Sequence, residues 1–350
     1  MQVSRILVRC CAPLLLIAAA CQQTDAAPRA GRPPKAPPPL RAAGYTILEP
    51  LTYKNLTIFL IEGDQQASKV KLLSLQEAMD QRKVVVHETG DVNELQVENL
   101  SDSEEVYIQS GDIIKGGQQD RVFQTDLVIP AKSGKIPVPA FCVEQGRWSK
   151  RQNEAVDRFS SSDQALASKE LKLAAKHDKT QQAVWSKVEA AQEKLGGAVG
   201  AQVRSSQSAS SLQLTLENDK VSAAVDEYVR HFRPLIGGKS RTTGFAFAIN
   251  GRLNSADIYS SHELFAKLWP KLLKASATEA VSEKSSSVSE VADPHSVARL
   301  LEEMAGTTEA EEASTGGTRL MKRETAKSVA FESRPRDDRS RWIHKNYIVK

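Results

Sequence analysis

"TGFAFAINGRLNSADIYSSHELFAKLWPKLLKA", residues 243–275, decides the fold class. Asn250-Gly251 lies between two short apolar runs. Both residues tolerate the left-handed backbone of a two-residue type I′ turn, so the pair predicts a β-hairpin. Helix formers follow at once, with Ser260 or Ser261 placed to cap the first turn. Pro270 has no amide hydrogen and predicts a kink or interruption in that helix. A strand-hairpin-helix unit of this kind belongs to an α+β fold, in which a mixed or antiparallel β-sheet carries a helical segment packed on it.

The flanks extend the pattern. Residues 45–150 read as β-rich. "NLTIFLIEG" and "VVVHETG" are strands, and "SLQEAMDQRK" between them is a short helix with Ser74 and Glu77 at capping-box spacing. "ELQVENLSDSEEVYIQSGD" alternates, turns at Asn99–Ser103 and alternates again, which predicts a second hairpin. "DRVFQTDLVIP" and "GKIPVPAFCVEQG" are two further strands. Pro137 and Pro139 each remove a ladder donor, which predicts an edge or a bulge. Residues 160–235 read as helical. Val184, Val188, Ala191 and Leu195 share one face of a helix that Gly196-Gly197 is expected to end, and "GAVGAQVRSSQSASS" reads as a flexible connector. Val221, Val225, Tyr228 and Phe232 recur at helical spacing. Residues 276–316 hold nine acids and two bases and read as an acidic, partly disordered insert with a short helix in "SVARLLEEMAG". Residues 317–350, with ten bases and four acids, read as a terminal β-hairpin packing back on the 45–275 domain.

The front of the chain is a targeting signal. "MQVSRILVRCCAPLLLIAAAC", residues 1–21, orders two arginines, an apolar run and small residues before Cys21. This resembles a bacterial lipobox and makes Cys21 the lipid-attachment candidate, with Gln22 favouring the outer membrane. Ordinary cleavage to a soluble periplasmic or secreted protein is the alternative. The proline-rich residues 22–44 read as a tether. Residues 1–41 carry a net charge of +5 out of +4 for the whole chain, so the remainder is slightly acidic and nucleic-acid binding is not expected. Only Cys142 remains in the folded part, which rules out an internal disulfide there.

"GDIIKGGQQDRVFQT", "FCVEQGRW", "QQAVWSKVEAA", "GFAFAINGRLNSADIY" and "HELFAKLWPKLL" occur in a characteristic order. In them the chain resembles the ARG and Rhodanese-Phosphatase-superfamily-associated domain family over about residues 45–275, with the final hairpin. The resemblance implies a mixed α and β build and no established activity. The lipoprotein-like front end and the acidic insert depart from the family pattern and point away from a cytoplasmic role.

The polar candidates lie in residues 111–151. Gln119, Arg121 and Arg147 form a fork of donors for a phosphate, carboxylate or sugar, or else the arginines pair with Asp120, Asp126 or Glu144. Trp148 is a stacking platform or packing residue. Cys142 is a nucleophile only if its pKa is depressed, and otherwise a small buried hydrophobe. The histidines at 87, 177, 231, 262, 295 and 344 show no metal-ligand spacing, so neither metal nor cofactor is expected. These features favour an envelope binding or interaction domain for a protein partner or a small anionic ligand. The alternative is an envelope enzyme using Gln119, Arg121, Glu144 and Arg147 on an anionic small molecule or peptide.

Overall fold

A computed structural model describes residues 39–350, apart from 67–70, 153, 285–291 and 339. The chain runs β1 (Leu40–Ala42), β2 (Tyr45–Ile47), β3 (Leu51–Tyr53), β4 (Leu56–Glu62), β5 (Leu72–Ser74), α1 (Leu75–Asp80), β6 (Val84–Glu88), β7 (Glu94–Asn99) and β8 (Glu105–Ile108). It continues as β9 (Asp112–Gly116), β10 (Arg121–Phe123), β11 (Leu127–Ile129), β12 (Lys135–Cys142) and β13 (Phe159–Ala165). Next come α2 (Lys169–Leu173), a π turn at Ala174–Asp178, α3 (Gln181–Val199), α4 (Leu212–Leu216), α5 (Asp219–Phe232) and a 3-10 turn at Arg233–Ile236. The last part is β14 (Thr242–Ile249), β15 (Arg252–Tyr259), α6 (His262–Ser282), α7 (Pro294–Ala305), β16 (Ala310–Thr315), β17 (Thr318–Glu324), β18 (Ser328–Pro335) and β19 (His344–Val349).

The large sheet has the order β1-β2-β4-β14-β15-β19-β18-β17-β16, with β3 also paired to β4. Its centre is β4 and the β14–β15 hairpin, which turns at Asn250 and Gly251 with φ of 52° and 77°. Alternation along β14 separates two layers. Phe245, Phe247 and Ile249 pack with α3, α5 and α6, whereas Ala246 and Ala248 lie under α7. A Cβ on Gly244 would stand 2.3 Å from the Asp257 carbonyl, so the close approach of β14 to β15 requires glycine. On the helical side, α5 buries Val221, Val225, Tyr228 and Phe232 as its spacing predicts, and α3 buries Val184, Val188 and Leu195. A six-stranded sheet, β13-β9-β10-β12-β7-β6, and a three-stranded sheet, β11-β8-β5, share a further core with α1, whose Ser74–Glu77 capping box is formed.

The architecture is α+β, and several elements differ from their sequence reading. β7 and β8 are not a hairpin. The Asn99 side chain donates to the Glu104 and Ile129 carbonyls, and this turn hands the chain from one sheet to another. β7 instead pairs with the proline half of β12, while the Ala140–Cys142 half pairs with β10, so each half of β12 has one neighbour. "DRVFQTDLVIP" is two strands in two sheets. "FSSSDQA", read as helical, is β13, held by β9 despite its weak apolar alternation. α3 passes through Gly196-Gly197 and ends at Gly200, which has the left-handed φ of 61°. α6 continues through Pro270 to Ser282, because buried Leu264, Phe265, Leu268, Trp269, Leu272 and Leu273 anchor both sides of it. Of the acidic stretch, the first residues end α6, the expected short helix is α7, and Ala310–Thr315 form β16, while 285–291 lie outside the described residues. Val297, Leu300, Leu301 and Met304 of α7 cover the alanine face of the sheet. The C-terminal segment adds three strands rather than two, with β19 inserted between β15 and β18. Strand β1 starts within the stretch read as tether, and residues Pro39–Lys350 form one compact unit.

Candidate functional site

The residues singled out in 111–151 come together only in part, and they meet one another rather than an open cavity. Cross-strand pairing places Arg121 opposite Cys142. Beyond β12, Glu144 is fully buried and accepts from the Asp120 amide at 2.9 Å and from Arg147 at 2.7 Å. Asp120, also fully buried, receives Arg151 through both terminal nitrogens, at 2.9 and 3.1 Å, and the Ser211 hydroxyl at 2.9 Å. Gln119 donates to the Glu144 carbonyl at 2.8 Å. Arg121 turns away from this group, donating to the Val92 carbonyl at 2.5 Å and to Glu88 at 3.2 Å beneath the half-exposed Trp148. Burial and the neighbouring Glu144 raise the Asp120 pKa. Burial also works to raise Glu144, but hydrogen bonds from Arg147, Ser208 and the Asp120 amide outweigh it and hold that carboxyl low. Arg151 is a further member of the cluster, and its spacing of four from Arg147 is the one sequence signal for it. The arginine donors that reach Asp120 and Glu144 are committed within the protein, an arrangement that locks β9–β10 and β12 to α4.

Cys142 does not fit a nucleophile. It is buried, its thiol donates to the Glu144 carbonyl at 2.9 Å, and burial pushes its pKa up to about 11. Cys21 lies outside the described residues.

A second charged network had no signature in the sequence. His344 on β19 is fully buried. Its Nδ1 lies 2.7 Å from Asp126, between β10 and β11, and its Nε2 lies 3.0 Å from Asp257 on β15. Asn346 donates to the same Asp257 oxygen at 2.8 Å and accepts from Lys176 at 3.2 Å, and Tyr259 stacks on the imidazole at 4.4 Å. Burial opposes the charge on His344, but Asp126 and Asp257 prevail and raise its pKa. Burial likewise opposes both aspartates, yet the cations around them hold them low. Lys176 sits on the π turn, and burial lowers its pKa. The adjoining cavity, lined by Lys172, Lys176, Asp257 and Ser276, measures about 30 Å³, room for about one water molecule.

Glu279 on α6 is a buried carboxyl outside both networks. One oxygen accepts from the Lys169 amide at 3.0 Å and from Asn254 at 2.7 Å, and the other has no partner. Burial pushes its pKa up to about 7 from an ordinary 4.5, against the pull of Lys172. A raised carboxyl costs the fold nothing below its unfolded value; the cost grows as pH rises and is complete above the folded value. Glu279→Gln should therefore leave stability nearly unchanged at pH 4 and raise it by on the order of 3 kcal/mol at pH 8. Urea unfolding at the two pH values checks this, and an equal effect at both refutes it.

Open space lies elsewhere. A cleft of about 370 Å³ runs between α1, β9, β13, α5 and α6, a size that suits a small ligand. Leu75, Val229, Leu268 and Leu273 supply apolar surface. Lys267, Lys271 and Lys274, at helical spacing on α6, line one wall. Each meets an acid on the facing elements: Glu77 at 3.5 Å, Asp112 at 2.9 Å and Asp163 at 2.5 Å respectively. At the rim, Asp226 and Arg233 are exposed, and among the described residues no hydrogen bond or ion pair engages the side chain of either. Gln76 donates to Ser161 and Asp80, while its buried Oε1 is unpartnered. The lysine spacing was visible in "HELFAKLWPKLLKA"; the facing acids were not.

These features define an α+β domain with closed charge networks inside and an open, part-apolar cleft of ligand size. The chain belongs to the ARG and Rhodanese-Phosphatase-superfamily-associated Protein domain family, whose model matches residues 44–348. No curated protein and no solved structure matches it.

Proposed function

We propose that this chain is a lipid-anchored protein of the bacterial envelope that binds a small ligand in the cleft between α1, α5 and α6. The cleft itself carries the binding reading: it joins apolar surface to charged walls at a size that fits a metabolite. The signal-like residues 1–21 and the proline-rich stretch after Cys21 support the anchoring. Binding is favoured over catalysis at Gln119, Arg121, Glu144 and Arg147, because Glu144 and Arg147 are engaged with each other and Arg121 with Glu88.

The test is a thermal-shift screen of the full chain in mild detergent against amino acids, peptides, sugars and anionic metabolites, beside Val229→Trp. Val229 is half-buried in the cleft, and an indole there fills the space. A ligand at about 100 times its Kd stabilises the native state by about 2.7 kcal/mol. The expected result is a raised Tm in the wild type and none in a folded Val229→Trp. A shift that survives Val229→Trp, or no shift with any compound, overturns the binding reading. For the anchor, labelled fatty acid should enter the wild type and not Cys21→Ser.

A further inference from the structure

We infer that the cleft ligand is a short zwitterionic peptide of about three residues, a reading that rests on the binding proposed above. The charges of the cleft fall into two groups. Lys267, Lys271 and Lys274 are paired with Glu77, Asp112 and Asp163 across the walls. An anionic ligand would have to break those pairs to use them. One cation and one anion remain uncommitted, Arg233 and Asp226. They stand seven positions apart on the end of α5 and the turn that follows, with Val229 between them. At about 1.5 Å of rise per residue, their backbones lie about 10 Å apart along the helix. An extended tripeptide, at about 3.3–3.6 Å per residue, spans the same length from ammonium to carboxylate. Asp226 then takes the ammonium and Arg233 the carboxylate, as a forked guanidinium does well. Leu75, Val229 and Leu268 receive an apolar side chain. A polyanion would find one free cation in the cleft, and a neutral sugar would leave both rim charges unused.

The experiment is calorimetric titration of the full chain with the tripeptide Ala-Leu-Ala, its N-acetyl form and its C-terminal amide, using wild type, Asp226→Asn and Arg233→Gln. Both substitutions are at exposed positions and should leave the fold intact, which the unliganded Tm verifies. Free Ala-Leu-Ala is expected to bind the wild type, with acetylation and amidation each costing tenfold or more. Acetylation should cost nothing further in Asp226→Asn, and amidation nothing further in Arg233→Gln. Equal binding of free and capped peptides, still blocked by Val229→Trp, would overturn the zwitterion assignment and leave the cleft as a binding site. Binding of an anionic metabolite that Val229→Trp blocks, with no binding of any peptide, would do the same. No binding of peptides or of any other screened compound would remove both readings.

Discussion

Replacing His344 with leucine should cost the fold about 3–5 kcal/mol near pH 6, the range for removing one partner from a buried charge pair. Both ring nitrogens of His344 lie on carboxylates, and both carboxylates are buried with it. Leucine leaves Asp126 with the Ser110 amide at 2.8 Å and Asp257 with Asn346, neither of which brings positive charge. Lys176 remains near both aspartates and limits the loss. The pH dependence follows from the direction of each shift. The His344 pKa is raised, so its contribution is full below the unfolded value of 6.5 and is lost as pH rises through the higher folded value. Those of Asp126 and Asp257 are lowered, so their contributions are full above 3.8 and are lost as pH falls through the lower folded values. The network is therefore strongest between these limits. Urea unfolding of wild type and His344→Leu at pH 6 and pH 9 should show the gap narrowing at pH 9. A gap below about 1 kcal/mol at both would show that the imidazole carries no charge in the fold.

That network also marks where sequence reasoning stopped. His344 lies 218 positions from Asp126 and 87 from Asp257, and no local spacing connects them. The features that were legible are settled within a few residues: the Asn250-Gly251 turn, the Ser74–Glu77 capping box, the apolar stripe of α5. Strand partners were not, because a strand's pattern fixes which face is buried but not which strand lies beside it. Hence proximity in sequence suggests a β7–β8 hairpin, whereas β7 lies between β6 and Lys135–Pro139 of β12. Polar β13 is illegible in the sequence for the converse reason. Its backbone pairing with β9 holds it, and it has little apolar alternation to reveal. The acidic composition around α7 concealed a buried face, since Val297, Leu300, Leu301 and Met304 are enough to cover a sheet of alanines. At the candidate site the pairing alternative holds for Arg147, whose guanidinium lies 2.7 Å from the buried Glu144. Composition alone could not tell a rim arginine from a buried one.

The fate of the Asp120–Glu144 cluster is tested by Arg151→Met, with an expected loss of about 3–5 kcal/mol at pH 7. Arg151 is the cation shared by the two buried carboxylates, at 2.9 Å from Asp120 and 3.4 Å from Glu144. Arg147 stays with Glu144 at 2.7 Å but reaches Asp120 only at 3.7 Å, so Asp120 bears most of the loss. Its pKa is already raised by burial and by Glu144, and without Arg151 it must rise further. A raised carboxyl destabilises above its folded pKa and not below the unfolded one, so the deficit of Arg151→Met should shrink as pH falls towards 4. Adding Asp120→Asn removes the stranded charge and should recover part of the loss at pH 7, which no simple packing defect would allow. Chemical unfolding of the two variants at pH 4.5 and 7 therefore separates the possibilities open for this hairpin. A pH-dependent loss with recovery assigns the cluster to holding β10 and β12 against α4. Undiminished stability in Arg151→Met would mean that these charges are not needed for the fold, and would make the hairpin, rather than the cleft on α6, the first place to look for a ligand.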